Sequence, residues 1–178
     1  LGEPYFHEVK SVDLQGRAAT NDLVAELAAL DTLEHLGLCQ TGIDDRALPH
    51  LTKLSRLKAL DIGFNPITDK GLIHLAALQN LVVLDLSVTK VDDEGLPVLK
   101  RLPSLYQLDL YGTSVTDRGA SVLSELPTLG ELDVANTQIT DAGVARLAKL
   151  SNLRRLRLDQ MTTGQGQERR ITDSAIPH

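Results

Sequence analysis

The spacing of apolar residues changes once in every 24 residues along this chain. Between Leu81 and Leu102, Leu84 and Leu86 alternate with other residues, which suits a strand. Leu96, Leu99 and Leu102 then step by three, which suits one face of a short helix. A turn lies between them, with Thr89, Val91, Asp92 and Asp93. One such strand-turn-helix unit is too small to bury its own apolar face. It needs copies of itself on both sides.

The copies are present at a shift of 24 residues. Leu57, Leu60, Ile62, Asn65 and Ile67 repeat the pattern upstream, and so do Leu33, Leu36, Leu38, Thr41 and Ile43. Downstream come Leu105, Leu108, Leu110, Thr113 and Val115, then Leu129, Leu132, Val134, Thr137 and Ile139. A worn first unit carries Val9, Val12 and Leu14. A seventh unit starts at Leu153, is interrupted at 163–170, and resumes as Ile171-Thr-Asp-Ser-Ala-Ile176. Residues 1–8 read as a lead-in or cap, with Tyr5 and Phe6 covering the first coil. Residues 9–178 read as one repeat domain.

The recurring polar residues have scaffold roles. Thr41, Thr89, Thr113 and Thr137, with Asn65 in the equivalent place, can bond to backbone at the turn after each strand. Thr68, Thr116 and Thr140 suit helix N-caps, and the aspartates after them suit the first turn. Gly71, Gly95, Gly119 and Gly143 permit close approach of backbone. Strands of successive coils should lie side by side in one parallel sheet, about 4.8 Å apart. The helices should line the other face.

The unit L-x-x-L-x-[LIV]-x-x-T-x-[IV]-[TD]-D-x-G-L-x-x-L-x-x-L resembles the bacterial leucine-rich repeats that carry T-x-I-T-D-x-G-L. The resemblance covers residues 6 to 176. It implies an α/β leucine-rich repeat solenoid, a curved right-handed horseshoe with its parallel sheet on the concave face and short helices on the convex face. It also implies a non-enzymatic scaffold that binds a protein on that concave sheet, in a parent protein at the cell envelope. The lead-in before Val9 resembles the segment that follows a membrane anchor and linker in some of those proteins. A cytoplasmic adaptor, or a recognition domain of a larger enzyme with its catalytic part elsewhere, stays open as an alternative.

Composition agrees with a leucine-built core: 42% of residues are hydrophobic, only 3% are aromatic, and there is no tryptophan. The net charge of −6 is unevenly spread. Residues 1–144 hold 11 Lys/Arg against 21 Asp/Glu, and residues 145–178 hold 7 against 3. An acidic body does not suit nucleic acid as main partner, which calls for a broad basic surface. Cys39 is the only cysteine, so no intrachain disulfide can form. No apolar run reaches membrane-spanning length. The start at Leu1 is expected of a processed form or excised domain. The chain is expected to be a monomer without cofactor.

Candidate chemistry follows from strand alternation. Three outward rows should cross the concave face. The first is Ser11, His35, Ala59, Val83, Gln107, Glu131 and Arg155. The second is Asp13, Gly37, Asp61, Asp85, Asp109, Asp133 and Arg157, and the third is Gln15, Cys39, Gly63, Ser87, Tyr111, Ala135 and Asp159. Adjacent carboxylates about 5 Å apart repel by roughly 0.8 kcal/mol in water and about 3 at an effective dielectric of about 20. The aspartate row therefore reads in two ways. It is either an acidic stripe for a basic partner or a repeat default supported by solvent and nearby donors. A cation site fits poorly, since one ligand per strand in a straight line does not converge.

Arg155 and Arg157 should pair with Glu131 and Asp133. The expected partner-binding set is Asp61, Asp85, Asp109, Asp133, Gln107, Tyr111, Glu131, Arg155 and Arg157. Tyr106, Tyr111 and Phe64 are either contact anchors or partly buried strand ends. His50 and His74 share a site in neighbouring helices but lack a third ligand for zinc. Cys39 and His35 invite a nucleophile–base idea, with nothing to orient the histidine. No catalytic residue, metal or cofactor site is expected.

Overall fold

The computed structural model describes residues 9–158. The expectations for residues 1–8, the interruption at 163–170 and Asp159 lie outside the described residues. Seven short strands form one parallel sheet in chain order. They are β1 (Ser11–Asp13), β2 (His35–Gly37), β3 (Ala59–Asp61), β4 (Val83–Asp85), β5 (Gln107–Asp109), β6 (Glu131–Asp133) and β7 (Arg155–Arg157). Equivalent repeat positions pair throughout, so Leu36, Leu60, Leu84, Leu108 and Leu132 stack as one buried ladder. A slip of one residue would turn that ladder out to solvent, which holds the register.

The other layer contains α1 (Asn21–Leu27), α2 (Leu48–Leu51), α3 (Asp69–Leu72), α4 (Asp117–Leu123) and α5 (Asp141–Leu147). It is less regular than the spacing of leucines implies, because Ile73–Ala77 and Leu96–Arg101 are 3₁₀ turns. Pro49 and Pro97 stand in the first turn of their segments, where a missing N–H is tolerated. Thr68, Thr116 and Thr140 have extended backbone and accept from the N–H two residues on, at 3.2–3.3 Å. These are the expected N-caps. Between the layers, Leu48, Leu72, Leu96, Leu123 and Leu147 meet the strand leucines in one continuous core.

The turns after the strands carry the expected polar ladder. The hydroxyls of Thr41, Thr89, Thr113 and Thr137 donate to the carbonyls three residues earlier at 2.6–2.7 Å. Asn65 does more. Its amide nitrogen donates to the carbonyls of Leu38, Ile62 and Gly63, and its Oδ1 accepts from the N–H groups of Thr41 and Gly42. One buried side chain thereby closes the corners of two coils. Just before each of these residues the chain crosses into left-handed backbone, at Gln40, Phe64, Val88, Gly112 and Asn136, and Gly16 does so at the equivalent place in the first coil, before Arg17.

Candidate functional site

Each strand has only three residues, so its central leucine, or Val12 in β1, points to the core and its two outer residues face the open side. The register places Asp61 beside Asp85, Asp85 beside Asp109, and Asp109 beside Asp133. Every carboxylate of this row anchors its own strand end. Oδ1 of Asp61, Asp85, Asp109 and Asp133 accepts from the N–H of Gly63, Ser87, Tyr111 and Ala135 at 3.0, 2.7, 2.8 and 2.9 Å. Asp13 does the same for Gln15 at 2.9 Å. These are the donors that support the aspartate as a repeat default. Only one oxygen of each is used in this way.

The row ends in opposite charge. Arg155 Nη1 donates to Glu131 Oε2 at 2.9 Å, and Arg157 Nη1 reaches Asp133 Oδ2 at 3.5 Å. Gln107, Asp109, Glu131, Asp133, Arg155 and Arg157 line a shallow recess there. Among the described residues, no ion pair reaches Asp61, Asp85 or Asp109. Burial pushes the Asp61 carboxyl up, with the charges of Asp85 and Asp13 adding to it and the Gly63 N–H opposing it. The same causes act on Asp109. Burial leads, Asp85 and Asp133 add to it, and the Tyr111 N–H and Arg157 oppose, leaving its carboxyl pushed up to about 6. Asp61 and Asp109 therefore carry charge at an electrostatic cost.

The third row needs correction. Gln15 is exposed and Tyr111 is half-buried, but Cys39, Gly63, Ser87 and Ala135 are buried. The strands end at the second outward row, at an aspartate in β1 and β3 to β6 and at Gly37 in β2, so the third row lies beyond them. A Cβ placed on Gly63 would stand 2.6 Å from Ser87 Oγ and 3.0 Å from Asp85 Oδ1. Burial and the charges of Asp61, Asp85 and Asp13 push the Cys39 thiol up, which opposes a thiolate nucleophile beside His35. The described residues hold no cluster of His, Cys, Asp or Glu able to bind a metal, and His50 and His74 form none.

The aromatic candidates separate. Tyr106 lies over Gly130, whose missing side chain makes room for the ring. Tyr111 is half-buried, whereas Phe64 is exposed and Val88 stands exposed at the equivalent place one coil on. Sequence reasoning did not single out Val88. Gly16, Gly112 and Asn136 in the same column were the available signal of left-handed backbone.

A parallel sheet, alternating short helices and one repeat-to-repeat core define a leucine-rich repeat solenoid, and the chain is a leucine-rich repeat protein of this fold. A leucine-rich repeat family model matches residues 47–76, 77–99 and 125–148. Among solved structures, the chain is similar to an internalin C2 from Listeria monocytogenes str. 4b F2365, with 35% identity and a TM-score of 0.63. The match covers 76% of this chain and 55% of that one, so the chain spans little more than half the length of that relative. Comparison with curated proteins finds no significant match.

Proposed function

We propose that this chain is a non-enzymatic protein-binding scaffold whose concave sheet receives a basic surface of its partner. The observation that carries this reading is the state of Asp61, Asp85 and Asp109. Each commits one oxygen to a backbone N–H, faces the open side and forms no ion pair among the described residues. Like charges one strand apart repel, and burial adds to the cost at Asp61 and Asp109. A cationic partner removes that cost on binding, so the row favours such a partner and discriminates against acidic ones. Gln107, Tyr111, Glu131, Asp133, Arg155 and Arg157 complete the proposed contact surface, with the arginines setting where the acidic stripe stops. The parent protein's place at a bacterial cell envelope belongs to the same reading. It rests on the repeat resemblance and on the likeness to an internalin.

The test is affinity capture with the full chain beside its Asp85→Asn/Asp109→Asn double variant. Asparagine keeps an Oδ1 acceptor for the Ser87 and Tyr111 N–H groups and removes only the charge. The wild type should capture a partner through a basic surface, more weakly as salt rises, and the variant should lose it. Equal capture by both proteins would eliminate the acidic-stripe reading.

A further inference from the structure

Among the described residues, three large apolar side chains stand exposed: Phe64, Ile73 and Val88. Phe64 and Val88 occupy the same place in neighbouring coils, and there the backbone is left-handed, with φ of 53° and 49°. Glycine and asparagine suit such backbone, and the other coils use Gly16, Gly112 and Asn136 at this place, with the polar Gln40 in one more. A β-branched residue such as Val88 is an outlier there. Phe64 is 51% exposed and Val88 39%, so each apolar side chain is only partly covered. A large apolar residue left partly in water on left-handed backbone is not what packing alone favours.

Their position is fixed. The Phe64 N–H donates to the Ser87 carbonyl and the Val88 N–H to the Tyr111 carbonyl, each at 2.7 Å. Both side chains thus stand at the rim of the sheet, three residues beyond Asp61 and Asp85 respectively. Asp85 leans back toward Gly63, the residue before Phe64. An apolar pair is joined to a carboxylate pair at one corner of the concave face.

We propose that this rim docks an extended basic segment of a partner protein, whose arginine or lysine lays its stem on Phe64 and Val88 and carries its charge to Asp61 and Asp85. Long cationic side chains have this divided character, with an apolar stem and a charged head. An arginine gains further from stacking on the Phe64 ring. Charge complementarity selects this occupant over an anionic lipid surface or nucleic acid, both of which the carboxylates repel. The inference rests on the protein-binding reading above and supplies the chemistry of its partner.

The experiment pans a random-peptide display library on the full chain. Selected peptides are then compared on Phe64→Asn, Val88→Gly and the Asp85→Asn/Asp109→Asn variant. The expected peptides are enriched in Arg or Lys next to an apolar residue. Their affinity should fall roughly tenfold or more on Phe64→Asn and Val88→Gly. Both variants should stay folded and melt near the wild-type temperature, because asparagine and glycine suit the left-handed backbone and offset the apolar contact that is lost. Peptides held equally by Phe64→Asn and Val88→Gly but lost on the asparagine double variant would overturn the inference and leave the acidic-stripe reading standing. Peptides held equally by all variants, or no selected peptides, would overturn both. Self-association of the chain that these rim substitutions abolish would also overturn it, by making a second copy the occupant.

Discussion

Asp45 of one coil accepts both the backbone N–H of Thr68 in the next, at 2.8 Å, and its hydroxyl, at 2.5 Å. Asp93 holds Thr116 in the same way, and Asp117 holds Thr140. The threonine hydroxyl meanwhile caps its own helix. A single link thus joins helix start to helix start along the solenoid. The glycine three residues after each threonine is part of it. A Cβ on Gly71 would stand 2.5 Å from Asp45 Oδ1, and Gly95, Gly119 and Gly143 face Asp69, Asp93 and Asp117 likewise.

This link predicts coupling between Gly71 and Asp45. Gly71→Ala should destabilise by about 1–3 kcal/mol through overpacking. Asp45→Ala should cost about 1–3 kcal/mol by stranding the Thr68 N–H and hydroxyl. The double variant should cost less than the sum, by about 0.5–2 kcal/mol, because alanine at position 45 vacates the space that the new methyl needs. Denaturant melts of the four proteins measure this, and strict additivity would show that the carboxylate does not set the glycine.

Asn65 stands where four other coils use threonine, and it binds two corners instead of one. Asn65→Ala strands the Thr41 and Gly42 N–H groups and the Ile62 carbonyl at a buried site, and takes one of two donors from the Leu38 and Gly63 carbonyls. The expected loss is about 3–5 kcal/mol, at the upper end for a point substitution. Asn65→Thr should recover only the bond to the Ile62 carbonyl and so remain well below wild type. Thermal melts decide between this and a simple interchange of equivalent residues.

Much of this architecture is legible before any coordinates. The change of period between Leu84–Leu86 and Leu96–Leu99 identifies strand and helix, and the constant shift identifies which strands pair. The threonine caps and the corner hydroxyls follow from residue type and place. What periodicity does not carry is where each strand stops. Alternation extends the outward rows to Cys39 and Ser87, but the chain leaves the strand two residues earlier, at Gly37 and Asp85, and buries them. Nor can a one-dimensional pattern show that Asp85 bonds the Ser87 N–H, which makes the acidic row part scaffold and part surface. Phe64 stands among the aromatic candidates of the sequence, but its exposed neighbour Val88 is hidden for a related reason. An apolar residue in a leucine-rich pattern reads as core until the left-handed backbone turns it outward.

The inward register itself can be tested at Leu84, which is fully buried in the central strand. Leu84→Ala removes a side chain packed between coils on both sides. It should cost about 2–5 kcal/mol, depending on how far the neighbouring leucines close the gap. Substitution of the adjacent, half-exposed Val83 by alanine should cost much less. Similar losses at both positions would contradict the division of each strand into one core and two outward residues.

Asp109 gives the acidic row a pH signature of definite sign. Its carboxyl is pushed up to about 6 from 3.8, chiefly by burial and then by its neighbours' charges. The native state therefore holds this proton more tightly than the unfolded chain does. The contribution of Asp109 to stability falls as pH rises through the interval between those two values, then levels off above it. Asp44 acts in a lower window, because the Arg46 guanidinium holds its carboxyl at about 2. Its contribution is present above 3.8 and is lost as pH falls toward 2. Asp109→Asn keeps an oxygen acceptor for the Tyr111 N–H and removes the titration. The variant should melt above wild type at neutral pH, and the difference should shrink steadily to near zero as pH is lowered to about 4. A difference that stays constant across that range, or grows toward acid, would mean that ionising Asp109 does not strain the folded sheet, and the electrostatic case for a basic partner would lose its central residue.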